Sequence, residues 1–151
     1  MEDLRELYQA TILGHNKKPR NFRVMDDATH EADGHNPLCG DQLTLYARVD
    51  ASGNVEEVTF QGSGCAISKA SASLMTDFVK GKSTEQVHSD FEHFHELVTS
   101  APSEEPKLEG LGKLAVFAGV REYPMRVKCA TLAWHALREA LAGDGQTAQT
   151  E

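Results

Sequence analysis

The feature that most constrains this chain is a change of apolar rhythm at Gly62-Ser63-Gly64: the period is two before it and three-and-four after it. Upstream, Leu43, Leu45, Ala47 and Val49 alternate with Thr44, Tyr46 and Arg48, which puts one side of a strand in the core and the other in water. Ala51-Ser52-Gly53-Asn54 makes a turn and alternation resumes from Val55 to Phe60, so the two runs are expected to pair as an antiparallel hairpin. A third strand is expected near Asp27 to Glu31. Downstream, Ile67, Ala70, Leu74 and Phe78 recur at helical spacing, and Gly81 ends that run.

The remaining segments are helical. Leu4, Leu7, Tyr8, Thr11 and Ile12 predict an amphipathic opening helix to about His15, stopped by Pro19 and Asn21. Val87, Phe91, Phe94 and Leu97 predict another, followed by a polar connector from Thr99 to Gly110. The most regular run comes last: Pro124 suits a first helical position, and Val127, Ala130, Trp134, Leu137 and Leu141 share one face. Strands grouped early and helices late predict an α+β fold. A chain of 151 residues is expected to form one domain, here residues 1–142, with residues 143–151 as a disordered tail.

Charge and hydropathy exclude several partners. With 23 acidic against 15 basic residues and a formal charge of -8, the chain is poorly suited to a phosphate backbone, so no nucleic acid is expected. No apolar run approaches the roughly 18 residues that a membrane span needs, and the start, Met1-Glu2-Asp3-Leu4-Arg5, is not that of a secretory signal. A cytoplasmic protein without a membrane is expected. Three cysteines, an odd number, then point to metal, catalysis or inert burial before disulfides.

Each cysteine has its own setting. Cys39 and Asp41 flank Gly40, so in an extended segment both side chains share a face; a loop cysteine beside a capping aspartate is the alternative. Cys65 follows Gly62-Ser63-Gly64 at a predicted helix start, where amides and the helix dipole favour a thiolate; the alternatives are a small buried hydrophobe or an anion cradle. Cys129 sits behind Arg126 and Lys128, cations suited to compensating a thiolate-rich centre, unless it is simply buried on its helix. If the three thiolates and Asp41 converge on zinc, they make an anionic tetrahedral site with bonds to sulfur near ~2.3 Å. The hard oxygen of Asp41 is its most exchangeable ligand. Of the histidines, His88, His93 and His95 are expected in solvent, His135 in packing or at the surface, and His35 in a loop from which it could reach the site.

Four ordered blocks then carry a resemblance: Leu7-Tyr8 through Pro19-Arg20-Asn21, Asn36-Pro37-Leu38-Cys39-Gly40-Asp41, Phe60-Gln61-Gly62-Ser63-Gly64-Cys65-Ala66-Ile67-Ser68, and Pro124-Met125-Arg126-Val127-Lys128-Cys129-Ala130. Together they resemble the SufU branch of the IscU and NifU N-terminal family of iron-sulfur cluster assembly proteins. The resemblance implies a three-stranded antiparallel sheet with helices packed on one face, and it matches Cys39, Asp41, Cys65 and Cys129 to the family's metal ligands. Lys128 stands where IscU-type scaffolds carry a histidine, and no Leu-Pro-Pro-Val-Lys segment is present; both departures favour the SufU branch and put chaperone-driven delivery in doubt.

That branch implies a zinc-dependent sulfurtransferase that accepts persulfide sulfur from a SufS-type cysteine desulfurase and passes it toward a downstream cluster-assembly scaffold. Cys39 is then the attacking thiolate, because its loop can swing, and Arg126 and Lys128 steady the charge left behind. Two other classes stay open: an iron-sulfur cluster scaffold using the same ligands, and a structural zinc module that binds other proteins.

Overall fold

The computed structural model of the chain describes residues 2–37, 40–143 and 148–149. Helix α1 (Glu2–Lys17) is followed by strands β1 (His30–Asn36), β2 (Asp41–Val49) and β3 (Val55–Ser63). Helices α2 (Ala66–Val79) and α3 (Thr84–Thr99), a run of 3-10 turns (Gly112–Glu122) and helix α4 (Pro124–Ala142) follow, before a short strand β4 (Ala148–Gln149). The α+β class, the hairpin and the four helices agree with the sequence pattern.

The third strand lies later than the sequence suggests, at residues 30–36 in place of 27–31. Its core positions, Ala32, Gly34 and Asn36, are too small or too polar to show an apolar alternation. Tertiary pairing places it instead: Ala32 lies opposite Leu45, Gly34 opposite Leu43 and Asn36 opposite Asp41, antiparallel. On the other side of β2, Leu43, Leu45 and Ala47 pair with Gly62, Phe60 and Val58. The C-terminal segment adds β4 beside β1, parallel, with Ala148 opposite Gly34; the rest of the expected tail after Gly143 lies outside the described residues.

Strand parity sorts the two faces of the sheet. Ala32, Leu43, Leu45, Ala47, Val58 and Phe60 are buried against the helical layer, with α4 over β1 and β2 and α2 over β3. Gly34 allows α4 to come close, since a Cβ there would stand 3.2 Å from that of Ala136. The opposite face carries Glu31, Asp33, Gln42, Thr44 and Arg48 toward solvent. Helix α4 is the hub of the core: Trp134 stacks on Phe94 of α3 at 5.0 Å, Phe94 meets Phe117 of the 3-10 run edge-on at 5.7 Å, and Phe117 meets Tyr8 of α1. Burying such rings contributes roughly 1.5–3 kcal/mol each. Among the described residues, no helix is long and apolar enough to cross a membrane.

Candidate metal centre

Asp41, Cys65 and Cys129 converge at one end of the sheet, each brought there by a different element. The β1–β2 connection closes with the Gly40 amide donating to the Asn36 carbonyl at 2.9 Å, with Gly40 at φ +75, a conformation that suits glycine. Asp41 thereby opens β2 on its buried face and is fully inaccessible to solvent. Cys65 is the N-cap of α2, as the sequence predicts, with its sulfur accepting from the Ser68 amide at 3.4 Å. Cys129 lies in the early turns of α4 and is buried.

The ligand atoms of these three residues all lie within 4.8 Å of one another. One Asp41 oxygen accepts from the Cys65 amide at 2.8 Å, and the other stands 4.0 Å from the Cys65 sulfur. This close approach requires Gly64, because a Cβ there would come within 2.7 Å of the Asp41 carboxylate oxygen. Asn36, at the end of β1, points its carboxamide at the same place, its Nδ2 donating to the Cys129 sulfur at 3.7 Å.

The electrostatics favour an anionic sulfur. The Cys65 thiol is lowered to about 6, chiefly by the hydrogen bond it accepts from Cys129, with the Ser68 and Ile67 amides adding to the effect against burial and the Asp41 charge. Burial raises the Tyr8 phenol, Arg126 opposes that rise, and the two cysteines also act on it, which puts α1 and the start of α4 within electrostatic reach of the centre. Arg126 is exposed, its guanidinium 4.3 Å from the centroid of the Tyr123 ring, and Lys128 is half-buried.

The structure brings together three of the four residues that the sequence singles out as ligands, Asp41, Cys65 and Cys129. Cys39, the fourth, lies outside the described residues. His35 is in a strand, not a loop; it pairs with Gln42 on the solvent face, opposite to Asp41. On α3, His88 and His95 are exposed and His93 is half-buried, and none of the three joins the Asp41, Cys65 and Cys129 group. Sequence reasoning missed Asn36 and Gly64. Both stand inside the quoted motifs, but their roles depend on a strand register and a close approach that spacing alone does not show.

Two sulfurs and one carboxylate fit zinc in chemistry and in spacing. A tetrahedral ion with bonds of ~2.3 Å to sulfur separates two sulfur ligands by about 3.8 Å; here the Asp41 oxygen and Cys65 sulfur stand 4.0 Å apart and all three ligand atoms lie within 4.8 Å. A separate groove of about 670 Å3 between α1 and the 3-10 run is lined by Ala10, Gly14, Lys18, Lys113, Ala115 and Val116, and by none of the described cysteines.

The chain is similar to known proteins in sequence and in fold. The family model described as NifU-like N terminal domain matches residues 7–142. The iron-sulfur cluster assembly scaffold protein IscU of Streptococcus pyogenes serotype M1 is 39% identical over 141 residues, 93% of this chain and 86% of that protein. The zinc-dependent sulfurtransferase SufU of Bacillus subtilis (strain 168) is also 39% identical, over 140 residues covering 93% of this chain and 92% of that one. A crystal structure of a hypothetical protein superposes with a TM-score of 0.82 at 39% identity, covering 91% of this chain and 98% of the other.

Proposed function

Because the chain belongs to the NifU-like N-terminal domain family, whose relatives work in iron-sulfur cluster assembly, we propose that it is a zinc-dependent sulfur acceptor. On this reading it takes persulfide sulfur from a SufS-type cysteine desulfurase and yields it to a downstream cluster-assembly scaffold. The observation that carries the reading is the convergence of Asp41, Cys65 and Cys129 at a buried sheet end, two residues in sequence from a third cysteine. Relatives of equal identity bear both a scaffold and a sulfurtransferase name, so identity does not choose between them. Lys128 in front of Cys129 favours the sulfurtransferase.

The residues divide the work. Asp41, Cys65 and Cys129 hold the ion together with Cys39, and Arg126 and Lys128 lie within three residues of Cys129 to offset the surplus negative charge. Zinc, when bound, keeps its thiolates deprotonated at neutral pH and shields them from oxidation. Cys39 supplies the nucleophile: its thiolate attacks the terminal sulfur of the partner's persulfide, a sulfur-sulfur bond forms as the partner's breaks, and the partner leaves as a thiolate. No net oxidation occurs in this exchange. The reducing cytoplasm, where unpaired thiols persist, suits it.

Alanine release by the desulfurase from the same genome tests the proposal, with this protein zinc-loaded, metal-stripped or carrying Cys39→Ser, and without iron. Acceleration by the zinc-loaded protein alone is expected. Equal rates with all three forms would overturn the sulfur-acceptor reading and leave cluster assembly on the same ligands as the leading account.

A further inference from the structure

Asn36 joins the parts of this site that come from distant points of the chain. It is fully buried, a costly place for a carboxamide unless its polar atoms are engaged. Its backbone carbonyl accepts from Gly40 at 2.9 Å and so closes the connection that contains Cys39. Its Cα is in register with Asp41. Its side-chain Nδ2 reaches across to α4 and donates to the Cys129 sulfur at 3.7 Å, a normal length for a hydrogen bond to sulfur. One residue therefore touches the loop, the carboxylate strand and the helix that supply three of the four expected ligands.

The chemistry of that contact has a direction. A carboxamide N–H is a donor, and its partner here is a sulfur that carries negative charge in a metal site, so the hydrogen bond strengthens when the thiolate forms. It also draws charge from the sulfur and makes Cys129 less able to attack. Cys129 is itself only 3% exposed, whereas Cys65 is partly open to solvent and is held by a backbone amide. The two described cysteines are thus not equivalent.

We propose that Asn36 is a positioning residue that fixes Cys129 as the stationary ligand. Exchange at the site then takes place away from Cys129. The inference rests on the metal-binding part of the function proposed above and not on sulfur transfer.

The test uses the full-length protein and three readouts apart from activity. Asn36→Asp keeps the side-chain shape but turns an oxygen toward the thiolate, and Asn36→Leu keeps the volume without polarity; circular dichroism and Tm establish that each folds. Cobalt(II) titration, followed by competition with zinc, should show apparent affinity lower by about 10–100-fold in both variants, with a weaker thiolate-to-cobalt band and the greater loss for Asp. In the unmodified protein, the Asn36 side-chain amide protons should exchange slowly and shift when zinc is added, a readout that does not depend on a variant folding. Wild-type affinity and spectrum in either folded variant, or Asn36 amide protons indifferent to zinc, would overturn the inference. If the wild-type chain binds zinc but transfers no sulfur, the functional reading fails while this one stands.

Discussion

The two faces of the sheet use the same residue types for opposite ends. On the solvent face, Arg48 pairs with Asp27 at 2.9 Å, Glu56 at 3.1 Å and Glu57 at 3.4 Å, and Arg23 also pairs with Glu57. On the helix-covered face, Asp41 is buried among a backbone amide and two sulfurs, and no lysine or arginine reaches it among the ion pairs of the described residues. A single step along a strand moves a side chain from one regime to the other, as Asp41 and Gln42 or His35 and Asn36 show. Exposed pairs are screened and contribute little, whereas a buried carboxylate has no solvent to fall back on and must be matched by its surroundings. What differs is therefore not the carboxylate but the dielectric and the partners that the fold gives it.

The contrast is sharpest at Gly64. Gly64→Ala places a methyl carbon against the Asp41 carboxylate and should lower zinc affinity by about 10–100-fold, while Tm of the metal-free protein changes far less. Chelator competition and thermal melts with and without zinc separate the two effects. If zinc affinity is unchanged, the carboxylate is free to move and its buried setting matters less than claimed.

A second probe compares two positions on α4, which carries Cys129 near its start and His135 farther along. His135 is lowered to about 4, by burial first and then by the Arg138 and His95 charges, with Phe91 of α3 also against its ring. A histidine held below its unfolded value of about 6.5 favours the native state only while neutral. Its contribution is therefore complete above that value and is lost as pH falls from about 6.5 toward 4. His135→Gln should reduce the acid destabilisation between pH 7 and pH 4 by about 1 kcal/mol, allowing for the ring's partial exposure. Urea melts at the two pH values measure it. An unchanged pH dependence would show that this ring is solvated like its exposed neighbours.

The smallest effect is expected on the outer face. Arg48→Met should leave zinc affinity unaltered and change stability only slightly, with what difference there is fading as salt is added. A loss of zinc binding in this variant would break the separation of the two faces.

Much of this architecture is written in local patterns. The alternation from Leu43 to Phe60 and the three-and-four spacing after Gly64 locate β2, β3 and α2, and the stop at Gly64 puts Cys65 at a helix start. The same patterns say little about β1, whose buried positions Ala32, Gly34 and Asn36 have almost no apolar signal and gain their place by pairing with β2. The 3-10 run from Gly112 to Glu122 was equally hidden, since its buried Leu114, Phe117 and Val120 follow the tighter three-residue turn between longer helices. At the site, cysteine and aspartate identities are legible because few other residues do their chemistry. Asn36 and Gly64 are not, because a carboxamide or a missing side chain acquires a role only from what lies across from it in space.

The central claim is that zinc and a sulfur-accepting thiolate share this end of the sheet. Its most direct test is to incubate the zinc-loaded protein with the partner desulfurase and cysteine, alkylate, and map sulfur by mass spectrometry. The account predicts one added sulfur atom on Cys39 and none on Cys65 or Cys129. Sulfur on Cys129, or on none of the three while the desulfurase turns over, would contradict it.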